Sequence, residues 1–435
     1  MFIFIAVATA LFGGLMLTRV FSVLKLNFPD VTAYLIAGLI IGPYGLGKLG
    51  IEGVGFTSLS EVEAIGILST SALGFIAFSI GSEFRLDDLK QTGKAATVIG
   101  IVQAVMASIL VDIVLAVISL AVGEDVFPLS AAIVLGSIAS ATAPAATLMV
   151  VRQYKAEGPL TSLLLPIVAL DDAVGLVVFS VSFGIAKAMQ GGNMDLISIV
   201  INPLLEIICS LLLGAMMGVV MTQLEKLFHS NKNRLSLTIS FVLMTIALSY
   251  MEFTIGPVEI SFSSLLVCMM LGTVFCNMSD FSADIMSRAE SWTSPLYACF
   301  FVISGAELQL GVFKNPVYVG IGIAYILTRS LGKYLGARLS STAMGCDENV
   351  RKYLGITLLP QAGVALGMCN QALALGDFEG GIIRNVTLFG VLIYELVGPL
   401  MTKNALQKAG EIAPIPAAKK DRERFRGDKK KAQAG

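Results

Sequence analysis

Residues 160 to 184 read LTSLLLPIVALDDAVGLVVFSVSFG, an apolar run with two adjacent carboxylates, Asp171 and Asp172, near its centre. An ionised carboxylate at the middle of a membrane helix costs roughly 2.5 to 3.5 kcal/mol, so two together are expected only where they face water, an ion or a fixed partner. The alternative is a pair of protonated or helix-bonded carboxyl groups that merely pack. The run therefore predicts a membrane-spanning helix that carries a cation or proton site.

The composition of the whole chain agrees with a membrane protein. Of the 435 residues, 55% are hydrophobic and only 14% are charged, which is unlike a soluble globular protein. The six cysteines show no metal-binding spacing, and the single histidine, His229, lies in a polar stretch. Zinc chemistry and Ser/His/Asp catalysis therefore lack residues, and we do not expect an enzyme.

Apolar runs of about twenty residues are long enough to span a bilayer. The sequence predicts thirteen of them, followed by a basic tail, residues 403–435, that we expect to be disordered. With the N-terminus outside, the inward loops carry fourteen Lys and Arg and the tail ten, against four in the outward loops, so the C-terminus is expected in the cytoplasm of a cell-membrane protein. The runs cover residues 2–22, 31–47, 62–82, 95–121, 127–150, 160–186, 196–222, 235–253, 258–277, 291–311, 315–339, 351–375 and 382–402.

The two halves of the chain resemble each other. The third run ends in GFIAFSIGSEFRL and the tenth in CFFVISGAELQL, and both close on Gly-x-Glu. Two runs later, each half has a helix interrupted by proline, at Pro144 and at Pro360. With the seventh run as a connector, the second set of six helices inserts upside down. Matched interruptions in inverted repeats indicate a transporter with its site at the membrane midplane, so we predict an all-α fold with crossed discontinuous helices.

The interrupted helices leave backbone groups that polar side chains, water or an ion must satisfy. Hydroxyl and amide side chains beside the two prolines are candidates to line the site, although Ser and Thr also commonly bond to a carbonyl of their own helix. The predicted lining residues are Ser137, Ser140, Thr142, Pro144, Pro360 and Gln361.

The two acids of the pair are expected to do different work, because adjacent helical residues point about 100° apart. One would face the cavity as a ligand, and the other would face a neighbouring helix and a basic partner. Arg329 and Lys333 lie at i and i+4 on one helix face and are the intramembrane cations of the predicted helices, with snorkelling to a headgroup as the alternative. Further acids within the runs, assigned to no role, are Asp112, Glu206 and Glu395.

These motifs resemble the second family of monovalent cation:proton antiporters, which contains sodium/proton antiporters and glutathione-gated potassium efflux systems. The Asp-Asp pair after a Thr-x-Pro helix is the most diagnostic of them. The chain departs from the family in having Ala143 where a polar residue often stands, and Arg329 where charge-moving members often have Lys. The resembling segments are FPDVTAYLIAGLIIGPYGLG (28–47), FSIGSEFRLDDL (78–89), SATAPAA (140–146), the acid pair, FFVISGAEL (300–308), TRSLGK (328–333) and PQAGVALG (360–367).

The resemblance implies the exchange of a monovalent cation, foremost Na⁺ and otherwise Li⁺ or K⁺, for protons by alternating access, with a role in pH homeostasis. It makes Asp172 the shared cation and proton ligand, with Thr142 beside it. Asp171 would pair with Arg329, or with Lys333 one turn on.

The resemblance also implies a homodimer and two domains in each protomer. A mobile core would comprise residues 62–186 and 291–402, and a scaffold that forms the dimer would comprise residues 2–47 and 196–277. No cofactor is implied beyond the transported cation and the proton.

Other functions remain open on the sequence alone. A sodium-coupled solute symporter, for example of the bile-acid type, or a potassium efflux transporter would use a similar inverted-repeat scaffold. An intramembrane aspartyl protease is disfavoured, because it needs one catalytic Asp from each of two helices, whereas Asp171 and Asp172 are adjacent on one.

Overall fold

The structure, a computed structural model, describes residues 2–24, 28–51, 55–82, 84–190, 201–251, 253–255, 258–308 and 316–412. Within these ranges the chain folds into helices, apart from one short antiparallel hairpin. The elements are α1 Phe2–Val23, α2 Asp30–Ile41, α3 Leu59–Glu63, α4 Gly66–Ser82, α5 Leu86–Val122, α6 Leu129–Ile138, α7 Pro144–Gln153, α8 Pro159–Met189, α9 Asn202–Glu225, α10 Asn231–Ser249, β1 Phe253–Ile255, β2 Val258–Ile260, α11 Ser264–Met278, α12 Ser282–Glu307, α13 Pro316–Ala343, α14 Glu348–Thr357, α15 Gly363–Ala372 and α16 Asp377–Lys408.

Within the described residues, the predicted runs fall on helices, some of which are divided in two. The main difference lies in the ninth run, which was expected to be helical from residue 258. The β1–β2 hairpin occupies its beginning, and α11 starts only at Ser264, where the Ser263 hydroxyl accepts a hydrogen bond from the Leu266 N–H at 3.5 Å.

The helices are those of an integral, multi-pass membrane protein. Several are long and apolar enough to cross a bilayer without a break, whereas the divided helices need both halves to do so. In the described part of the chain, the candidate spans are Ile3–Val23, Asp30–Leu49, Gly93–Val122, Pro159–Met189, Leu204–Glu225 and Asp377–Lys408, of which Asp30–Leu49 contains a turn after Ile41.

Both predicted interruptions are present, and they cross each other. Helix α6 ends at Ile138 and α7 begins with Pro144, whose missing N–H suits the first turn of a helix. Between α14 and α15 the chain is again non-helical. The Ala143 N–H donates to the Pro360 carbonyl at 2.8 Å, so the two interruptions are in direct contact. The crossed discontinuous helices are therefore confirmed.

Reciprocal glycine contacts relate the two halves. Helix α4 crosses α11 where Gly81 faces Met269 and Gly272 faces Phe78, and α12 crosses α2 where Gly305 meets Gly38. A Cβ at any of these four glycines would overlap a backbone carbonyl of the opposite helix. The third helix of each half thus packs against the second helix of the other half. The glycine of each predicted Gly-x-Glu motif is what permits this close approach, while Glu83 of the first motif lies outside the described residues.

The crossings also group the helices. Helices α4 and α12 pack against α2, α10 and α11, whereas α5 to α8 pack with α13 to α16. Two helices of the predicted core, residues 62–186 and 291–402, thus pack mainly with helices outside it, and the division into a mobile core and a scaffold stays a prediction. We use "core" for α5–α8 with α13–α16 and "scaffold" for α1–α4 with α9–α12. Polar contacts join the groups. Arg152 Nη2 lies 2.9 Å from Glu290 Oε1, the Asp30 N–H donates to Gln153 Oε1 at 2.9 Å, and the Leu86 N–H at the start of α5 donates to Asn277 Oδ1 of α11 at 2.9 Å.

The chain remains ordered beyond the predicted end of the last helix. Helix α16 continues to Lys408, and Ile412 is buried against the core. The tail that was expected to begin at residue 403 is thus part of the fold for its first ten residues. Residues 413–435, where disorder was also expected, lie outside the described residues.

Candidate ion-binding site

Helix α8 carries both acids past the crossing as one continuous helix, Pro159–Met189. Asp171 is completely buried, and Gly175 lies one turn further along the same face. A Cβ on Gly175 would lie 3.3 Å from Ser140 Oγ, in the interruption between α6 and α7. This face of α8 therefore packs directly against the interrupted helices.

Asp171 is held by two buried side chains from other helices. Lys333 Nζ of α13 donates to Oδ2 at 2.8 Å, and Gln103 Nε2 of α5 donates to Oδ1 at 2.5 Å. Lys333 Nζ also donates to Thr142 Oγ1 at 2.9 Å and to the Ser140 carbonyl. All three ammonium protons thus have an acceptor, and the pair is both ionic and hydrogen-bonded, as a buried pair requires.

The approach of α13 to α5 follows from a Gly-x-x-x-Gly pattern. A Cβ on Gly332 would lie 2.7 Å from the Ala107 Cα, and one on Gly336 would lie 2.7 Å from the Gln103 Cα. Small residues at this spacing let two membrane helices come into backbone contact. Lys333 is placed between these glycines and so stands beside Gln103 and Asp171.

Arg329, one turn before Lys333, has a different role from the one predicted. Its guanidinium donates to three backbone carbonyls, from Nε to Ala139 at 2.9 Å, from Nη1 to Leu359 at 2.7 Å and from Nη2 to Ala141 at 2.6 Å. These carbonyls belong to the negative ends of the half-helices α6 and α14, whose partial charges a buried cation offsets. Arg329, the first choice as the partner of Asp171, therefore serves the crossing, and Lys333 is the partner.

Gln361 ties the two interruptions together. Its Nε2 donates to the Ile138 carbonyl, the last residue of α6, at 2.9 Å. The same amide lies 2.8 Å from the Tyr325 hydroxyl of α13. The predicted lining residue thus occupies the crossing, but it bonds to protein groups.

Asp172 lies on a neighbouring face of α8. With Leu165 and Ala169 it forms an i, i+4, i+7 stripe, and these two apolar residues pack in one cluster with Ala143 and Ala145 at the start of α7. The Oδ1 atom of Asp172 is buried, and no described residue donates a hydrogen bond to it. The carboxylate therefore has one buried oxygen available as an acceptor, on the face of α8 whose apolar residues belong to the same cluster as the start of α7.

The three hydroxyls predicted to line the site bond elsewhere. Ser137 Oγ donates to the Val134 carbonyl and Ser140 Oγ to the Ser137 carbonyl, each at 2.6 Å, so both follow the local alternative of bonding to their own helix. Thr142 Oγ1 receives the Lys333 proton and lies 3.3 Å from the Leu358 carbonyl. Thr142 thus lies in the Asp171–Lys333 cluster.

A cavity of about 330 Å³ lies between the core helices α5 and α8 and the scaffold helices α9 and α11. Ala169 and Ala173, which flank Asp172 on α8, line it together with Pro166. Thr97 and Thr273 also line it among mostly apolar side chains. Space at the core–scaffold boundary thus reaches the level of the acid pair.

Gln103 and Tyr325 were not predicted as site residues. A lone amide in the apolar run GIVQAVMA was the available signal for Gln103. Tyr325 gave no such signal, because aromatic residues are common in membrane helices. The sequence left three acids without a role. Asp112 packs on Gly136 of α6, Glu206 lies on scaffold helix α9, and Glu395 is buried on α16. None of them takes part in the described hydrogen bonds of Asp171.

The inverted halves, the crossed interruptions and the buried Asp–Lys pair beside a second acid define a secondary transporter with the sodium/proton antiporter fold. Two structures of the sodium proton antiporter MjNhaP1 from Methanocaldococcus jannaschii are similar to it. One, determined at pH 8, has a TM-score of 0.64 and 16% identity, covering 93% of this chain and 94% of that one. The other, an electron-microscopy structure, has a TM-score of 0.73 and 17% identity, with 94% and 98% covered.

The chain belongs to the sodium/hydrogen exchanger family, whose transmembrane model matches residues 7–408. It is similar to the K⁺/H⁺ antiporter subunit KhtU of Bacillus subtilis, with 23% identity over 90% of this chain and 92% of the relative. It is equally similar to the Na⁺/H⁺ antiporter NhaS4 of Synechocystis sp., with 23% identity over 92% and 95%. The expected antiporter family is thus confirmed, and it is a family of transporters.

Proposed function

We propose that this protein exchanges sodium for protons by alternating access, with Asp172 as the shared ligand of the two ions. The observation that carries the proposal is the buried Asp172 Oδ1, to which no described residue donates a hydrogen bond. An ionised carboxylate in this setting needs a compensating charge. Either a proton or a cation supplies it, and the two compete for the same oxygen atoms, which is the requirement for obligatory exchange.

Asp171 and Lys333 form a second unit of the mechanism. Asp171 already has a cation at 2.8 Å and an amide at 2.5 Å, so it has less need of a transported ion in this conformation. Lys333 of this pair bonds directly to the Ser140 carbonyl and to Thr142, which lie in the interruption between α6 and α7. Its opening and closing would therefore respond to any ion that enters beside Asp172.

The cavity between α8 and the scaffold supports a route for the ions along the core–scaffold boundary. In the proposed cycle the core moves against the scaffold, and the ends of the boundary open in turn. We further propose a homodimer formed through scaffold helices. The molecule would lie in the cell membrane with its N-terminus outside and its C-terminus in the cytoplasm, as the distribution of Lys and Arg indicates.

Potassium is the second candidate cation, because one of the two relatives at 23% identity is named a K⁺/H⁺ antiporter. A sodium-coupled symporter for an organic solute fits less well. The cavity beside α8 is small and mostly apolar, whereas a polar solute needs several convergent polar groups.

The test is cation-induced dequenching of a pH-sensitive dye in everted vesicles, with Na⁺, Li⁺ and K⁺ added separately. Asp172→Asn should abolish the response to every cation, because the amide cannot exchange a proton for a cation. Glu206→Gln is the matched control, an acid on scaffold helix α9 that should be dispensable. Both variants should elute as folded protein in size-exclusion chromatography. Substantial exchange by purified Asp172→Asn would refute the assignment.

A further inference from the structure

The chain turns back sharply at the end of α16. Gly410 has φ +82°, a conformation that favours glycine, and its N–H donates to the Gln407 carbonyl at 3.1 Å. The Glu411 N–H donates to the Leu406 carbonyl at 3.0 Å. These two bonds form a Schellman motif, which ends the helix and directs Glu411 towards the beginning of α8.

Glu411 binds the first turn of α8 with its side chain. Oε1 accepts from the Leu160 N–H at 2.6 Å, and Oε2 accepts from the Thr161 N–H at 2.8 Å and from Thr161 Oγ1 at 2.6 Å. The residue is only 8% exposed. At the N-cap position of α8 the chain has Gly158, which has no side chain to accept these hydrogens. Glu411 therefore caps α8 from a position 250 residues further along the chain.

We propose that Glu411 is a positioning residue for the ion site, acting through helix α8. The inference rests on the proposed exchange at Asp172. Thr161 and Asp172 lie on the same helix, which continues through Pro166, and their separation along its axis is about 16 Å. A fixed negative charge at the start of α8 offsets the positive end of the helix dipole and thereby favours a cation beside Asp172.

The expected size follows from Coulomb's law. A unit charge at about 16 Å, with the effective dielectric constant of roughly 20 that describes protein sites, changes the affinity for a monovalent cation by about fivefold. The hydrogen bonds have a second effect, because they hold the first turn of α8 against α16. Ile412, next to Glu411, is buried in the same cluster as Leu160 and Leu164.

The experiment separates the charge of Glu411 from its bulk. Glu411→Gln keeps the size and removes the charge. At a pH alkaline enough that protons do not compete for Asp172, the apparent KM for Na⁺ in proteoliposomes should therefore rise about fivefold, with the maximal rate unchanged. Glu411→Asp keeps the charge and should retain a KM close to that of the wild type. Glu157→Gln is the matched control, since it removes an exposed acid beside Gly158 that makes none of these side-chain bonds, and its KM should not change.

A second measurement does not depend on transport. Hydrogen–deuterium exchange of the Leu160 and Thr161 amides should accelerate in Glu411→Gln and remain slow in Glu157→Gln. If the Glu411 variants fail to fold, Thr161→Val replaces them. It removes only the Oγ1 donor, so the amide exchange should accelerate by a smaller amount. An unchanged KM in Glu411→Gln, or an equal rise in Glu157→Gln, would overturn the positioning role even if the amides exchange faster. If Asp172→Asn still transports, the proposed function fails, while the amide exchange still reports on the cap.

Discussion

Two cations one turn apart on α13 divide the work at the centre of the molecule. The planar guanidinium of Arg329 reaches three carbonyls at once, whereas the ammonium of Lys333 acts as a point charge beside Asp171. Both side chains are completely buried. The fork of an arginine suits the splayed carbonyls of two half-helices, and the compact ammonium suits a single carboxylate.

The Asp171–Lys333 pair should show strong energetic coupling. Lys333→Ala leaves a buried carboxylate without its cation and should destabilise the protein by about 3 to 5 kcal/mol. Replacing both partners, with Asp171→Leu and Lys333→Met, removes the unpaired charge, so the double variant should lose less than the sum of the single losses. Unfolding in detergent measures the cycle, with Arg338→Ala, an exposed residue of the same helix, as the control. Strictly additive losses would contradict the pairing.

At the scale of the helices, two crossings made by four glycines determine which helices pack together. Gly305 and Gly38 bring α12 and α2 into backbone contact, and Gly81 and Gly272 do the same for α4 and α11. Because a backbone contact leaves no room for a side chain, these positions tolerate substitution poorly.

Gly305→Ala should lower the thermal stability of the purified protein, because its Cβ would overlap the Leu35 carbonyl. Gly320→Ala on α13 is the control, since nothing lies within 4 Å of its Cβ and alanine is the better helix former. Melting temperatures in one detergent compare the two. Equal melting of Gly305→Ala and the wild type would show that α12 and α2 separate without loss.

Much of the element order follows from the sequence, because apolar runs, prolines and inverted motifs are local signals. The interruptions at Pro144 and Pro360 could be predicted and so could their meeting. The partner of Asp171 could not be predicted. Arg329 and Lys333 share one face of α13, and which of them stands beside Asp171 depends on how α13 packs along α5. Gly332 and Gly336 set that packing, but only the positions of both helices show it.

At the scale of the whole molecule, the core and the scaffold meet along a boundary with few polar contacts among the described residues. Arg152 with Glu290, Gln153 with Asp30 and the Leu86 N–H with Asn277 join them, and the cavity beside α8 separates them elsewhere. Partly exposed ion pairs contribute only about 0 to 1 kcal/mol. The boundary is therefore suited to sliding, while the crossing within the core is held by buried cations.

The electrical behaviour of the exchange depends on which groups release protons as the core moves. If the Asp171–Lys333 pair opens in each cycle and Lys333 releases its proton, two protons are exchanged for one cation and a net charge crosses the membrane. Each elementary charge is then driven by about 2.3 kcal/mol per 100 mV.

We expect a potential imposed with valinomycin and potassium to change the rate of sodium exchange in proteoliposomes. Lys333→Arg should make the rate independent of the potential, because arginine does not release its proton at accessible pH. Wild-type rates that are identical with and without the potential would instead indicate one-for-one exchange through Asp172 alone.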